Sequence, residues 1–191
     1  MKYRDRNHGQ IREMLRDIAY IAAIIGLVVI MMLAFGRPSQ AETQFRLGAT
    51  LGSYHPGHAN EYEQFNPGLN ASVTFRADKV FQYGFQAGAY SNSYGNRTIY
   101  GLGFADTRLF DIGQIEIRGG GFAGMFEYAE FAPKAAAHGW PTMGDFVLVI
   151  GPHVKARFNN GVDLNVGFIP LYTSKTSGVF TLSVSIPIGG N

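Results

Sequence analysis

The sequence predicts an all-β fold: an eight-stranded antiparallel up-and-down transmembrane β-barrel preceded by a signal peptide. Three observations carry that expectation. Eight segments after Ala41 alternate apolar and polar residues, the connections between them alternate short and long, and an export-type leader stands in front of them. Side chains on a strand point to opposite faces with a period of two, so alternation marks a segment with one apolar and one polar face. Residues 178–188, GVFTLSVSIPI, show this most plainly. Phe180, Leu182, Val184, Ile186 and Ile188 share one parity, and Thr181, Ser183 and Ser185 share the other.

The leader comes first. Lys2, Arg4, Arg6, Arg12 and Arg16 precede an uncharged run from Ile18 to Gly36, which leads to Ser39-Gln40-Ala41. Small residues occupy both recognition positions of a cleavage site, so residues 1–41 are expected to be a signal peptide and 42–191 a single β-barrel domain beginning at Glu42. The apolar run approaches spanning length, which makes an uncleaved anchor the alternative. The chain carries a net charge of +2. The first 41 residues hold six Lys and Arg against three Asp and Glu, and the remainder holds ten against eleven, a net of −1. The basic balance thus belongs to the leader, and no nucleic acid is expected as a partner. Cysteine is absent, which excludes a disulfide framework and thiolate chemistry. A closed barrel needs no such staple, because its hydrogen-bond ladder is continuous. No cofactor and no metal site are expected.

The strands follow in order. The first covers about Gln44–Tyr54, with Phe45, Leu47, Ala49 and Leu51 on one face. The second, about Gly68–Ala77, sets Leu69, Ala71, Val73 and Phe75 against Asn70, Ser72, Thr74 and Arg76. The third, about Val80–Tyr90, sets Phe81, Tyr83, Phe85 and Ala87 against Gln82, Gly84, Gln86 and Gly88. The fourth, about Thr98–Leu109, has Tyr100, Leu102 and Phe104 on one face, and in the fifth, about Gln114–Gly124, Ile115 and Ile117 oppose Glu116 and Arg118. The sixth lies within Phe146–Arg157 and is so apolar at its start that its facing is ambiguous. The seventh, about Val162–Pro170, sets Val162, Leu164, Val166 and Phe168 against Asp163 and Asn165, and the eighth is 178–188.

Short turns fall at Asp78-Lys79, Asp111-Ile112-Gly113 and Asn159-Asn160-Gly161, the last an Asn-Gly hairpin signal that supplies positive φ. Long connections span 55–67, 91–97, 125–145 and 171–177, with no helical pattern in any of them. Bacterial barrels keep short turns on the periplasmic side, so all the long loops fall outside together. Arg76, Gln82, Gln86, Glu116, Arg118, Asp163 and Asn165 would then project inward. Eight strands leave room for side chains or one small ligand but no open channel, so these charges are expected to fill the barrel with ion pairs.

At the outer rim, Ser53-Tyr54-His55 ends the first strand and Tyr90-Ser91-Asn92-Ser93 ends the third. An imidazole beside a hydroxyl is the general-base pair that acyl transfer requires. The competing reading is that His55 and His58, in a loop with Pro56 and Gly57, are solvated.

Further stretches add to this. Tyr54-His55, then Asn66-Pro67-Gly68, AYSNSYGNRTIYGLGF (89–104), GGGFAGMFEY (119–128) and GVDLNVGFIPLYTSKTSGVFTLSVSI (161–186), with its Ile169-Pro170, occur in order over most of the chain after the leader. In that order they resemble the outer-membrane lipid A palmitoyltransferases (PagP-type). The resemblance implies transfer of an acyl chain from a phospholipid to lipid A in the bacterial outer membrane, with His55, Asn92 and Ser93 at the catalytic site. It also implies that Pro152 and Pro170, which cannot donate to a ladder, mark lateral access for lipid. One departure bears on activity: the family has Asp-Ser where this chain has Asn92-Ser93, and Asn supplies no charge to stabilise an imidazolium. Membrane lipids are the expected partners of a monomeric barrel. The alternative is a non-catalytic small outer-membrane barrel that binds a lipid, or a surface partner through its long loops.

Overall fold

The computed structural model describes residues 42–57, 61–76, 78–170 and 178–188; the leader at 1–41, His58 and the connection 171–177 lie outside them. Among the described residues nine strands follow one another: β1 (Glu42–Tyr54), β2 (Phe65–Arg76), β3 (Phe81–Ser91), β4 (Arg97–Ile112), β5 (Ile115–Glu127), β6 (Thr142–Met143), β7 (Phe146–Phe158), β8 (Asp163–Ile169) and β9 (Val179–Ile188). One helix, α1 (Ala132–Ala137), lies between β5 and β6. Every pairing is antiparallel. β1 pairs with β9 and β5 with β7, so eight strands close on themselves and β6 is a two-residue appendage on β7.

The short turns are built by the residues the sequence singles out. Asp78 Oδ1 accepts the backbone N–H groups of Val80 and Phe81, each at 2.6 Å, and so fixes the β2–β3 turn. These two bonds, Phe81 the larger, hold the Asp78 carboxyl below the usual carboxylate range. The β4–β5 and β7–β8 turns place Gly113 and Gly161 at φ 59° and 81°, where a β-carbon would be strained.

Alternation places apolar side chains outside. Leu69 is 76% exposed on the outer wall, whereas its neighbour Asn70 is buried and Gln82 is wholly buried within. Phe45, Leu47, Phe81, Ile150 and Ile186 likewise cover the outside, while Arg46, Asp106, Arg118 and Asp163 are buried inside. An apolar exterior around buried charge is the reverse of a soluble core, and among the described residues each of the eight strands pairs with a neighbour on both sides, so the fold is a transmembrane barrel of the outer-membrane kind.

The structure settles one facing that the sequence left open and departs from the sequence reading in two places. Tyr100, Leu102 and Phe104 face inward, sharing the lumen with Phe122, Phe126, Val147 and Val149, so that apolar parity on β4 and β7 does not mean outward. Their rings lie over inward-facing glycines of neighbouring strands. A β-carbon on Gly84 would stand 2.7 Å from the Phe104 ring, and one on Gly151 would stand 3.1 Å from that of Phe122. Next, the connection after β5 contains α1, with Pro133 in its first turn and Gly139 at φ 76° beyond its end. Six residues are too few to display a helical period, and the helix is held by burial of Ala132 and Ala135 against the aromatic cluster. Several strands also run past their expected ends, β2 by starting at Phe65 and β5 by continuing to Glu127.

Candidate functional site

The lumen has a charged floor and a chemically mixed mouth. At the floor, Asp106 accepts from Arg118 Nε at 2.5 Å, Lys155 Nζ at 2.8 Å and Gln82 Nε2 at 3.1 Å, with His153 Nε2 at 3.4 Å. Arg118 reaches on to Glu116 at 2.8 Å. Gln82 accepts from Arg157 at 3.2 Å, Arg157 grips Asp163 at 2.8 and 3.0 Å, and Asp163 pairs with Arg46 at 3.3 Å. The network draws groups from β1, β3, β4, β5, β7 and β8 and closes that end of the barrel with paired charge. Sequence parity names Gln82, Glu116, Arg118 and Asp163 for it. Arg46, Asp106, Lys155, Arg157 and His153 are added by the structure, and the signal for Asp106 was an acid on the same face as Tyr100, Leu102 and Phe104. Arg76 stays at the edge, paired with Glu42 at 3.2 Å.

At the other end, a bulge decides which side chains enter. β1 pairs Thr50 with Ser183 of β9 but Gly52 with Leu182, so Leu51 is an extra residue against that neighbour. Strict alternation from Phe45, Leu47 and Ala49 would send Ser53 and His55 to the lipid face. The bulge reverses the parity and turns them inward, while Tyr54 goes out and is 53% exposed.

His55 and Ser93 are both buried, and His55 Nε2 lies 2.8 Å from Ser93 Oγ. With Nε2 unprotonated, the Ser93 hydroxyl donates to it, which is base-to-hydroxyl reach. Ser53 Oγ is 3.1 Å from Ser93 Oγ and 3.4 Å from Nε2, and it donates to Asn66 Oδ1 at 2.5 Å. The imidazole stacks on Tyr62, ring centroids 4.4 Å apart. β3 ends at Ser91, so Asn92 and Ser93 leave the strand alternation and both become buried. Asn92 builds the loop that carries Ser93. Its Oδ1 accepts the N–H groups of Tyr94 and Asn96 at 2.9 and 3.0 Å, and its Nδ2 donates to Thr98 Oγ1 at 3.1 Å. Sequence reasoning placed Ser53 at the rim and named Asn66 only within a motif; it gave neither a contact with the Ser93 site, because no spacing announces that a bulge will bring β1 and β2 groups beside Ser93.

This cluster lines a cavity of about 340 Å³ at the mouth, whose other walls include Tyr90, Phe126, Phe131, Val147, Val149 and Ile169, with Glu61, Lys134 and His138 also bordering it. Tyr62, Tyr94, Tyr128 and Phe131 form a chain of edge contacts over it, with ring centroids 5.6 to 6.3 Å apart. Burial, then Tyr62, pushes the Tyr94 phenol up to about 12, so it stays a neutral donor at physiological pH. A second cavity runs down the lumen from Ser53 and Asn66 to the floor, and Ser53, Tyr90, Phe126, Ile169 and Thr181 border both. Pro152 lies within β7 and faces outward, exposed, at the point where the β7–β8 ladder stops. Among the described residues that ladder joins His153 with Gly167 through Arg157 with Asp163, and β6 pairs with Phe146 and Val147 at the start of β7. Pro170 follows the last residue of β8.

No family model matches the chain, and no curated protein matches it. Solved structures similar to it include the outer membrane protein Ail of Yersinia pestis in a phospholipid bilayer nanodisc, at 10% identity and a TM-score of 0.41, covering 77% of this chain and 100% of that one. Neisserial surface protein A (NspA) matches at 10% identity and 0.41, covering 78% of this chain and 100% of its own. The crystal structure of Ail, the attachment invasion locus protein of Yersinia pestis, matches at 10% and 0.40, covering 78% and 99%.

Proposed function

We propose that this outer-membrane barrel binds a membrane lipid by taking one acyl chain into its lumen. The observation that carries the reading is the run of inward-facing apolar side chains from Phe104 and Phe122 through Tyr100 and Phe126 to Val147 and Val149, above a floor closed by ion pairs. A dead-ended shaft with one apolar wall has nothing to conduct but fits a chain that enters from the mouth or from the bilayer. Pro152 has no N–H to give to a ladder and stands where the described β7–β8 pairing stops, which supports lateral access, and Pro170 sits at the same end of the neighbouring strand. Native mass spectrometry of the detergent-purified barrel with a single-chain lysophospholipid tests this. Val149→Trp, which fills the shaft, should remove a one-to-one adduct, whereas Ile150→Trp on the outer wall should leave it. Adducts that survive equally in both variants would refute the reading.

A second reading is favoured by one contact, the 2.8 Å approach of His55 to Ser93 beside this shaft. In it, Ser93 Oγ attacks the acyl ester carbonyl, His55 Nε2 takes the hydroxyl proton, and the lysolipid alkoxide leaves with that proton as the acyl group moves to Ser93. An acceptor hydroxyl then repeats the exchange in reverse. The PagP-type resemblance supports a phospholipid donor and lipid A acceptor. General-base loss costs about 10²–10⁴-fold, so His55→Ala and Ser93→Ala should each abolish acyl transfer to lipid A, read by mass spectrometry, with heat-modifiable gel mobility unchanged. Asn92→Asp should keep or raise it, because a carboxylate retains both accepted N–H bonds and adds charge. An acylation pattern indifferent to His55→Ala leaves the binding reading alone.

A further inference from the structure

The lumen is two-sided. β3, β4 and β5 supply an aromatic wall of Tyr90, Tyr100, Phe104, Phe122 and Phe126, while β1, β2, β8 and β9 supply Thr50, Asn66, Asn70, Asn165, Thr181 and Ser183. On the polar side three amide atoms are buried without a hydrogen-bond partner among the described residues: Asn66 Nδ2, Asn70 Nδ2 and Asn165 Oδ1. Asn66 is 1% exposed and Asn70 7%, and all three residues border the same cavity. Asn70 is set among glycines that leave it room. A β-carbon on Gly48 would lie 2.5 Å from Asn70 Oδ1, and one on Gly88 would lie 2.8 Å from Asn70 Cβ.

We propose that the lumen selects an acyl chain that carries a hydroxyl group. This rests on the acyl-chain reading above and adds the chain's chemistry. Buried polar atoms are normally bonded, and a plain hydrocarbon would displace the water that could serve these amides and leave them orphaned. A hydroxyl both donates and accepts, so it satisfies either an Asn Nδ2 or Asn165 Oδ1. The rest of the chain lies against the aromatic wall. A site that bonds a substrate hydroxyl rejects the analogue lacking it far more strongly than a methylene pocket discriminates by size. A saccharide, with hydroxyls around its whole rim, would set several of them against rings.

The test titrates the purified full-length barrel with hexadecanoic acid and its β-hydroxy and mid-chain hydroxy derivatives, each as the free acid and as the one chain of lysophosphatidylethanolamine. Maltose serves as the saccharide probe. At least one hydroxylated chain should bind about tenfold or more tightly than the plain chain, as loss of one buried partner predicts. Asn70→Leu with Asn165→Leu should reduce that preference to about twofold or less while plain-chain binding persists or tightens. Should the double variant fail to assemble, Asn70→Leu alone must still lower the preference. Equal binding of plain and hydroxylated chains overturns this inference and leaves the acyl-chain reading intact, as does a preference untouched by the substitutions. Binding of no chain at all sinks both. Displacement of a bound chain by maltose would identify the lumen as a saccharide site and overturn the proposal, and comparison of free acid with lysolipid identifies the source of the chain.

Discussion

Asp78 shows how one side chain fixes a turn. Its carboxylate accepts two backbone N–H groups at 2.6 Å while fully open to solvent, and these bonds lower its pKa. A group whose folded pKa is depressed stabilises above its unfolded value of about 3.9 and loses that contribution as pH falls through the folded value. Asp78→Ala should therefore lower the barrel's thermal midpoint at neutral pH, and its deficit against the unsubstituted protein should narrow below about pH 4. A deficit constant down to strongly acidic pH would show that the turn owes nothing to the carboxylate. His55 depends on residues in the same local way but through more partners: the Leu51 bulge aims it, Tyr62 stacks on it, and the Asn92 loop delivers Ser93 to it.

The element with the clearest consequence is β9, where parity and lipid exposure agree. Leu182 and Ile186 are exposed on the outer wall, and Ser183 and Ser185 line the lumen. An Arg at the bilayer midplane costs about 2–4 kcal/mol on the lipid face. Leu182→Arg or Val184→Arg should thus damage assembly far more than Ser183→Arg, measured as heat-modifiable barrel recovered in the membrane. Equal yields for the three would reverse the facing. β4 and β5 obey a different rule. Tyr100 stacks on Phe126 inside the barrel at a centroid distance of 5.0 Å, and the outer face of β4 at the same level consists of Gly101, Gly103 and Ala105. Large rings fill a small lumen, and small residues are left to meet lipid.

Across the whole molecule the floor network joins strands that are distant in the chain. Asp106 on β4 holds Arg118 of β5 and Lys155 of β7, both buried. Removing one partner of a buried ion pair costs about 3–5 kcal/mol, because the remaining charges lose compensation without regaining water. Asp106→Ala should lower unfolding stability in urea by that amount in lipid vesicles, while Asp111→Ala, whose pair with Arg108 is exposed, should change it little. Similar losses for the two variants would show that the network does not hold the floor. The closed floor also predicts no steady ionic conductance in planar bilayers, and Asp106→Ala is the variant in which leakage should first be seen.

The sequence by itself determined the barrel. Period-two alternation, eight segments and short turns such as Asp78-Lys79 and Asn160-Gly161 are local signals, and each acts through its own few residues. It also determined that His55 and Ser93 stand at one end of the molecule, since both close strands on the long-loop side. Their 2.8 Å approach was decided by tertiary structure, because β1 and β3 are not neighbours and a one-residue bulge at Leu51 cannot be read from composition or parity. The inward turn of Tyr100, Phe104 and Phe122 was decided there as well. An apolar residue satisfies both lipid and a packed lumen, so hydrophobicity alone carries no sign of which side it faces. Only closure of the ladder, which places Asp106 and Arg118 on the same inner face, fixes it.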